Sequence, residues 1–510
     1  MKCYNFNLKI FLNNRLALTI FYLQTGKYTF LKPSDTFLLL ITKYSNMPQT
    51  KGARIPLSAL TESENLPRLL VLSFGVWLYA ADSTLVATVM PVAVEHIGGL
   101  PYLRWTYTLY QLGSVITGAI AALVVMRIGI IHAEIASGVF YVFGCALSAY
   151  ASDMSIMIVG RLLQGMGGGG LVSLAFIGAS TLFPPKMWVR VIAVISAVWG
   201  VSSLCGPLIG GYFVHTGNWR GAFWAFALQG LITIFVAPPL LRKDFQSSNK
   251  EIQPLPFARL GLLSLAVLAI CQAGVVSSTQ FAVVLCSAGF ALFLFFLRQD
   301  MDSKNRIFPR GILNPSSVSG SGLLMICSFF MATVSLTVYG PLLMYIIFGA
   351  APLVAGYIIA LESLAWSLTA ILTSGLRESI QPRLIRMGSV FISVSMLGLV
   401  YVMPAGPLWV IGLLSAIMGM GFGMSWSFVS KRIIANAPET ERTQASASIP
   451  TFLRLAMALG SALSGIIANY SGFSKESSVA IAQNVAFWCF AAFIPIMIVG
   501  LVTAWRVSKG

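Results

Sequence analysis

Apolar residues along this chain come in runs of about twenty, enough helix to cross the roughly 30 Å hydrocarbon core of a bilayer. Polar residues gather in the short stretches between them. Six runs come first, near 69–94, 105–126, 131–151, 155–181, 188–214 and 219–241. A polar stretch, RKDFQSSNKEIQPLPFAR (242–259), separates them from a close pair at 260–276 and 280–297, whose connecting turn is very short. A second polar stretch, RQDMDSKNRIFPRGILNPSS (298–317), leads into six more runs near 318–347, 353–376, 384–403, 408–430, 445–469 and 484–505. The pattern predicts an all-α polytopic membrane protein of fourteen transmembrane helices. Its domains are a six-helix bundle (69–241), an inserted helix pair (260–297), and a second six-helix bundle with its tail (318–510).

Composition agrees. The chain is 57% hydrophobic and 10% charged, with a mean hydropathy of +0.82, whereas soluble domains carry about 25% charged residues. The net charge of +17 is explained by the positive-inside rule. With a cytoplasmic amino terminus, the loops 242–259 and 298–317 and the other inner loops hold nearly all the inter-span Lys and Arg. The outer loops hold only Arg104, Arg220 and Lys475. An even number of spans then places both termini inside, with residues 47–68 as a cytoplasmic segment. Basic loops of this kind attract anionic membrane lipid; no aromatic-plus-basic motif accompanies them, so nucleic acid is not an expected partner.

The first 46 residues depart from the pattern. They are rich in Asn, Lys, Phe, Ile and Tyr, and their apolar runs (Leu16–Leu23, Phe37–Thr42) are too short to span. They lack the apolar core and cleavage site of a signal peptide. Residues 1–46 read as a mis-called extension with translation starting at Met47, or as a disordered tail or interfacial anchor. Six of the seven cysteines lie within apolar runs without CxxC spacing, as small buried hydrophobes do.

Within the spans, WGVSSLCGPLIGGYFV (199–214) places Pro207 inside an apolar helix amid Gly206, Gly210 and Gly211. Pro removes a backbone donor, a break that membrane helices tolerate. Gly206 and Gly210, one turn apart, give a face that a partner helix can approach closely. The segment reads either as a packing kink or as a moving part.

Ionisable residues inside a membrane are costly and mark function by default. Asp82 lies near the middle of the first span and either pairs with a cation or carries its proton; a structural hydrogen bond to a neighbouring span is the plain alternative. Glu362 is also central, with Trp366 and Thr369 continuing its helix face. That face suits a lipophilic cation through charge and cation–π attraction, or a protonated Glu satisfied by another helix. Arg161, in GRLLQGMGGGG, keeps its charge and needs a carboxylate, a carbonyl or an aqueous cavity. Arg454 is expected to snorkel to the cytoplasmic interface. No HExxH, GxSxG or GxxxxGK[ST] motif occurs, so neither an enzyme nor direct use of ATP is indicated. The three scattered histidines build no metal site, and no cofactor is expected.

These residues carry a resemblance. The six–two–six layout, over about residues 66–507, resembles the fourteen-span drug:proton antiporter branch of the major facilitator superfamily. ADSTLVATVMP (81–91) is similar to its first-span motif, GRLLQG (160–165) to its span-four Arg motif, and CGPLIGG (205–211) to its span-five antiporter motif, with Ser202 at the usual leading Gly. The loop between spans two and three resembles the family pattern only at Arg127 and Gly129. Ala122, Met126, Ile130 and Ile131 replace its Gly, its Asp and its closing basic pair, so the gating loop here lacks the family's acidic partner.

The resemblance implies alternating access, with proton entry driving the exit of small amphipathic compounds. It makes Asp82, Arg161 and, from the residue pattern, Glu362 the proton-coupling candidates. Glu362, Trp366 and Thr369 would line the substrate cavity, and Gly206, Pro207, Gly210 and Gly211 the conformational interface. It implies a monomer in the plasma membrane (the inner membrane of a bacterium), with protons, lipid and a small-molecule substrate as partners. A facilitator or importer of a specific metabolite or metal chelator, and a transport-dead sensor or scaffold, remain alternative readings.

Overall fold

The structure, a computed structural model, describes residues 7–11, 18–22, 28–30, 60, 62, 64–241, 255–276, 278–473 and 478–509. Two units are distinct, 1–54 and 55–510. In the first, β1 (Asn7–Phe11), β2 (Leu18–Tyr22) and β3 (Tyr28–Phe30) form an antiparallel meander, with Lys9 opposite Ile20 and Phe21 opposite Thr29. The apolar pattern did not predict these strands. Where translation starts, at residue 1 or at Met47, turns on residues that mostly lie outside the described ones.

The second unit is helical. Its first half comprises α1 (Asn65–Ile97), α2 (Leu103–Ala149), α3 (Met154–Thr181), α4 (Trp188–His215) and α5 (Trp219–Leu241). The inserted pair is α6 (Phe257–Ala273) and α7 (Thr279–Met301). The second half comprises α8 (Val318–Phe348), α9 (Pro352–Thr373), α10 (Gln381–Ala405), α11 (Leu408–Ala435), α12 (Arg442–Tyr470), α13 (Val479–Ala491) and α14 (Ile494–Lys509). Among the described residues, twelve segments are long and apolar enough to cross a membrane, with Val479–Lys509 counted as one. The fourteen crossings of the sequence pattern would require α2 to count as two limbs and α6, at 17 residues, to count as a span.

The division of α2 has a physical cause. Its 47 residues would extend about 70 Å as one straight helix, more than twice the hydrocarbon thickness. Gly129 interrupts it at φ 81°, ψ 162°, a backbone region open to Gly and strained for other residues. The turn therefore forms where one apolar run ends at 126 and the next begins at 131.

In lipid, helices associate through close packing rather than hydrophobic burial, and α3 shows how. A Cβ on Gly165 would collide with the Tyr110 carbonyl, and one on Gly169 with the Ser114 backbone, so α2 and α3 meet backbone to backbone. The two halves meet where α4 packs on α9 and α11, and where α12 packs on α2 and α3. Phe176 of α3 stands edge-on to Trp426 of α11 at 6.2 Å, and the Ser446 hydroxyl of α12 donates to the Ser180 hydroxyl of α3 at 2.7 Å.

The inserted pair leans on α12 and α2. Arg259 pairs with Asp300 across its base, and Asp300 also accepts from the Ile307 and Phe308 amides at 2.9 and 3.0 Å. The loop so tied reaches the second half through Arg306–Glu441 at 3.6 Å and through Phe308, whose ring lies 4.7 Å from that of Phe452.

Candidate functional site

The first half encloses a charged pair at mid-span. Asp82 stands near the centre of α1, and Arg161 enters from α3, two turns from its start. Nη1 of Arg161 donates to Asp82 Oδ1 and to Gln164 Oε1, each at 2.9 Å, and both charged side chains are 1% exposed. The guanidinium carbon lies 4.1 Å from the centre of the Tyr110 ring. Burying two charges costs several kcal/mol each unless they pair and hydrogen-bond well. Here Asp82 Oδ2 and Arg161 Nε keep no partner. The pair is thus compensated in charge and incomplete in hydrogen bonding, the condition of a group that can exchange its partner.

Polar residues extend from this pair through the helices. The Gln164 amide donates to Cys145 Sγ at 3.0 Å, and the Ser148 hydroxyl donates to Gln164 Oε1 at 3.2 Å. On the other side Tyr110 stacks on Tyr79 at 5.3 Å, and the Tyr79 hydroxyl donates to Gln111 at 2.8 Å. Trp199 of α4 meets Tyr79 edge-on at 5.6 Å.

Arg454 completes the ladder from the second half, and here the structure corrects the sequence reading. Arg454 does not snorkel. It is buried, its guanidinium 4.6 Å from the centre of the Tyr79 ring, with Nη1 donating to the Ser114 carbonyl at 3.5 Å. Asp82, Arg161, Tyr110, Tyr79 and Arg454 therefore form one chain of charge and π contacts across the seam between the halves.

Glu362 stands apart from that ladder, on α9. It is half-buried, and its backbone abuts Gly419 of α11. Trp366 joins an aromatic cluster, stacked on Phe422 at 5.1 Å and close to Phe330 and Trp426 at 5.7 and 5.6 Å. Its indole nitrogen is buried without a partner. Thr369 packs its Cβ toward Gly423. This face of α9 thus lies largely against α11 of its own half.

The Gly-Pro-Gly-Gly segment is divided in the same way. A Cβ on Gly206 would collide with the Thr84 hydroxyl and come within 2.7 Å of the Ala81 carbonyl, while one on Gly210 would approach Leu85 and Thr88. Both glycines serve the fit of α4 on α1. Pro207 is exposed, and Gly211 faces open space. It is Gly200, one helical stretch earlier, that meets the second half at Ser363 and Ser367. Arg127 is exposed and forms no ion pair among the described residues, in keeping with the missing acidic residue of its loop.

One buried acid escaped the sequence reading. Glu134, early in the second limb of α2, is 1% exposed, and neither carboxylate oxygen has a hydrogen-bond partner. A Cβ on Gly75 of α1 would stand 3.7 Å from its Oε1. The signal was present, a lone acid in the run beginning at 131, but it lies three residues from the predicted boundary.

Two helical halves with a charged ladder across their seam define a membrane transporter. The chain belongs to the Major Facilitator Superfamily, whose sequence profile matches residues 72–461. It is 27% identical over 466 residues to a probable multidrug-efflux transporter of Mycobacterium tuberculosis, covering 88% of this chain and 95% of that one. It is 30% identical over 197 residues to a multidrug transporter protein of Bacillus subtilis, covering 38% and 35%. Among solved structures, the human organic anion transporter MFSD10 superposes with a TM-score of 0.65 at 13% identity, over 86% of this chain and 99% of that one. The proton:xylose symporter XylE gives 0.61 at 14% identity, over 87% and 96%. These likenesses establish the fold.

Proposed function

We propose that the protein is a proton-coupled exporter of small amphipathic compounds, working as a monomer in the plasma membrane with fourteen crossings and both termini cytoplasmic. The observation that carries this reading is the buried Asp82–Arg161 pair. A proton arriving at Asp82 removes the counter-charge of Arg161, and the guanidinium must then find another partner. A ligand shifts a conformational equilibrium only through its different affinity for the two states; a pair that is closed in one state and open in the other gives the proton that difference. The two halves would rock about the seam between α4 and α9 and between α3 and α12. Relatives named as multidrug transporters support an efflux role.

The test is transport of a panel of amphipathic dyes by the purified protein in liposomes under an imposed proton gradient. Export against the dye gradient, with dye-induced proton release from the detergent-solubilised protein, is the expected result. Movement of dye that ignores the proton gradient overturns proton coupling and favours a facilitator.

A further inference from the structure

Arg454 is a permanent positive charge buried at 3% exposure, and no carboxylate among the described residues lies within ion-pair distance of it. Asp82, the acid of the same ladder, is already engaged by Arg161 at 2.9 Å. Two guanidinium groups and one carboxylate leave the centre of the seam one positive charge in excess. Nη2 of Arg454 has no hydrogen-bond partner, and Nη1 makes only the 3.5 Å contact to the Ser114 carbonyl. An uncompensated buried cation is strongly disfavoured, and an anionic ligand would relieve it.

The surroundings match an anionic group. An ideal Cβ on Gly118 of α2 would lie 3.0 Å from the Ser173 hydroxyl, 3.1 Å from the Thr451 hydroxyl and 3.2 Å from Arg454 Nη1. Two hydroxyls and a guanidinium thus converge at a bare glycine; the Thr451 hydroxyl donates to the Ala447 carbonyl at 2.9 Å, whereas the Ser173 hydroxyl is buried without a partner. Guanidinium and hydroxyl donors are the groups that recognise carboxylate, sulfonate or phosphate oxygens. The face of Tyr79 lies against the guanidinium, and the exposed Trp199 meets Tyr79 edge-on.

We propose that Arg454 is the anion-recognising residue of the transport site, and that the cargo carries an acidic group joined to an aromatic or apolar body. The inference rests on the transport reading above and names its substrate class. Gly118 and Ser173 belong to the first half, Thr451 and Arg454 to the second. Separation of the halves here withdraws Tyr79 and the Ser114 carbonyl from Arg454 and frees its donors for the anion. Closure returns Nη1 to the Ser114 carbonyl and the guanidinium to the Tyr79 face, and expels the anion.

The test compares an anilinonaphthalene sulfonate, its neutral sulfonamide isostere and the cation ethidium, by fluorescence titration of the purified full-length protein and by gradient-driven movement in liposomes. The wild-type chain is expected to bind the sulfonate at least tenfold more tightly than the sulfonamide. Arg454→Gln should lose that preference, its sulfonate affinity falling much more than its ethidium affinity, and Arg454→Lys should keep part of it. If Arg454→Gln does not fold, the sulfonate–sulfonamide ratio on the wild-type chain decides alone. Equal binding of those two probes, or an equal loss for all three in a folded Arg454→Gln, overturns the proposal. Gradient-driven movement of ethidium without the sulfonate also overturns it and leaves the transport reading intact. Sulfonate binding with no driven movement of any probe overturns the transport reading instead.

Discussion

Nη1 of Arg161 meets Oδ1 of Asp82 at 2.9 Å, between residues 79 positions apart on α3 and α1, with both side chains sealed from solvent. Among the described residues, Asp82 is the carboxylate that pairs with Arg161. Removing one member of a buried pair costs about 3–5 kcal/mol, because the remaining charge is left uncompensated. Asp82→Leu is therefore expected to lower the melting temperature strongly. Asp82→Asn keeps an oxygen acceptor toward Arg161 and should fold, yet lose gradient-driven transport at least tenfold. Asp82→Glu should recover part of it. Melting curves in detergent and transport in liposomes read the two effects separately. Wild-type coupling in Asp82→Asn removes Asp82 from the proposed mechanism.

Gly206 and Gly211 belong to one motif and have opposite surroundings, since a Cβ would strike Thr84 and crowd the Ala81 carbonyl at the first and meet nothing within 4 Å at the second. Overpacking costs about 1–3 kcal/mol, whereas replacing Gly by Ala in an open helical position gains up to about 1 kcal/mol. Gly206→Ala should melt at a lower temperature than the parent, and Gly211→Ala at the same or a higher one. Equal melting shifts for the two would show that α4 does not rest on α1 as described.

Much of this architecture was written in the apolar runs, because a bilayer demands about twenty apolar residues per crossing whatever the tertiary contacts are. The α1 and α3 motifs likewise announced Asp82 and Arg161. Depth along a helix was harder to read than presence on one. Arg454 lies twelve residues into α12, a distance compatible with snorkelling until the aromatic face of Tyr79 and the opposing half are placed around it. The division of labour between Gly206 and Gly211 was equally hidden, since helical spacing gives a shared face without saying what that face meets. The Glu362–Trp366–Thr369 face shows the same limit, because its chemistry was visible and its contact with the α11 glycines was not.

Glu134 presents a carboxyl group to a packed interior with neither oxygen hydrogen-bonded. A buried polar group left unsatisfied costs about 1–3 kcal/mol, and Leu fills a similar volume without that cost. Glu134→Leu is expected to raise the melting temperature of the purified protein, and Glu134→Gln, which keeps polar atoms in the same place, to raise it less. Thermal unfolding followed by intrinsic tryptophan fluorescence measures both. A lower melting point for Glu134→Leu would reveal a stabilising partner for the acid.

Glu378, in the turn after α9, accepts from the Lys431 ammonium of α11 at 2.6 Å, with side chains 78% and 17% exposed. The same turn carries Gly375, where an added Cβ would press on the Arg190 guanidinium of α4. The hydrogen bond and charge of Lys431 hold the Glu378 carboxyl below its usual range. Folded-state depression of an acid's pKa gives stability that is present above the unfolded value, about 4.3, and lost as pH falls through the lower folded value. An exposed pair of this kind contributes under about 1 kcal/mol and is screened by salt. Glu378→Gln should therefore melt slightly below the wild type at pH 7, and the difference should fade when the pH is taken under about 4 or the ionic strength to about 1 M. A melting difference indifferent to both pH and salt would mean that packing of the turn, rather than charge, ties Glu378 to Lys431.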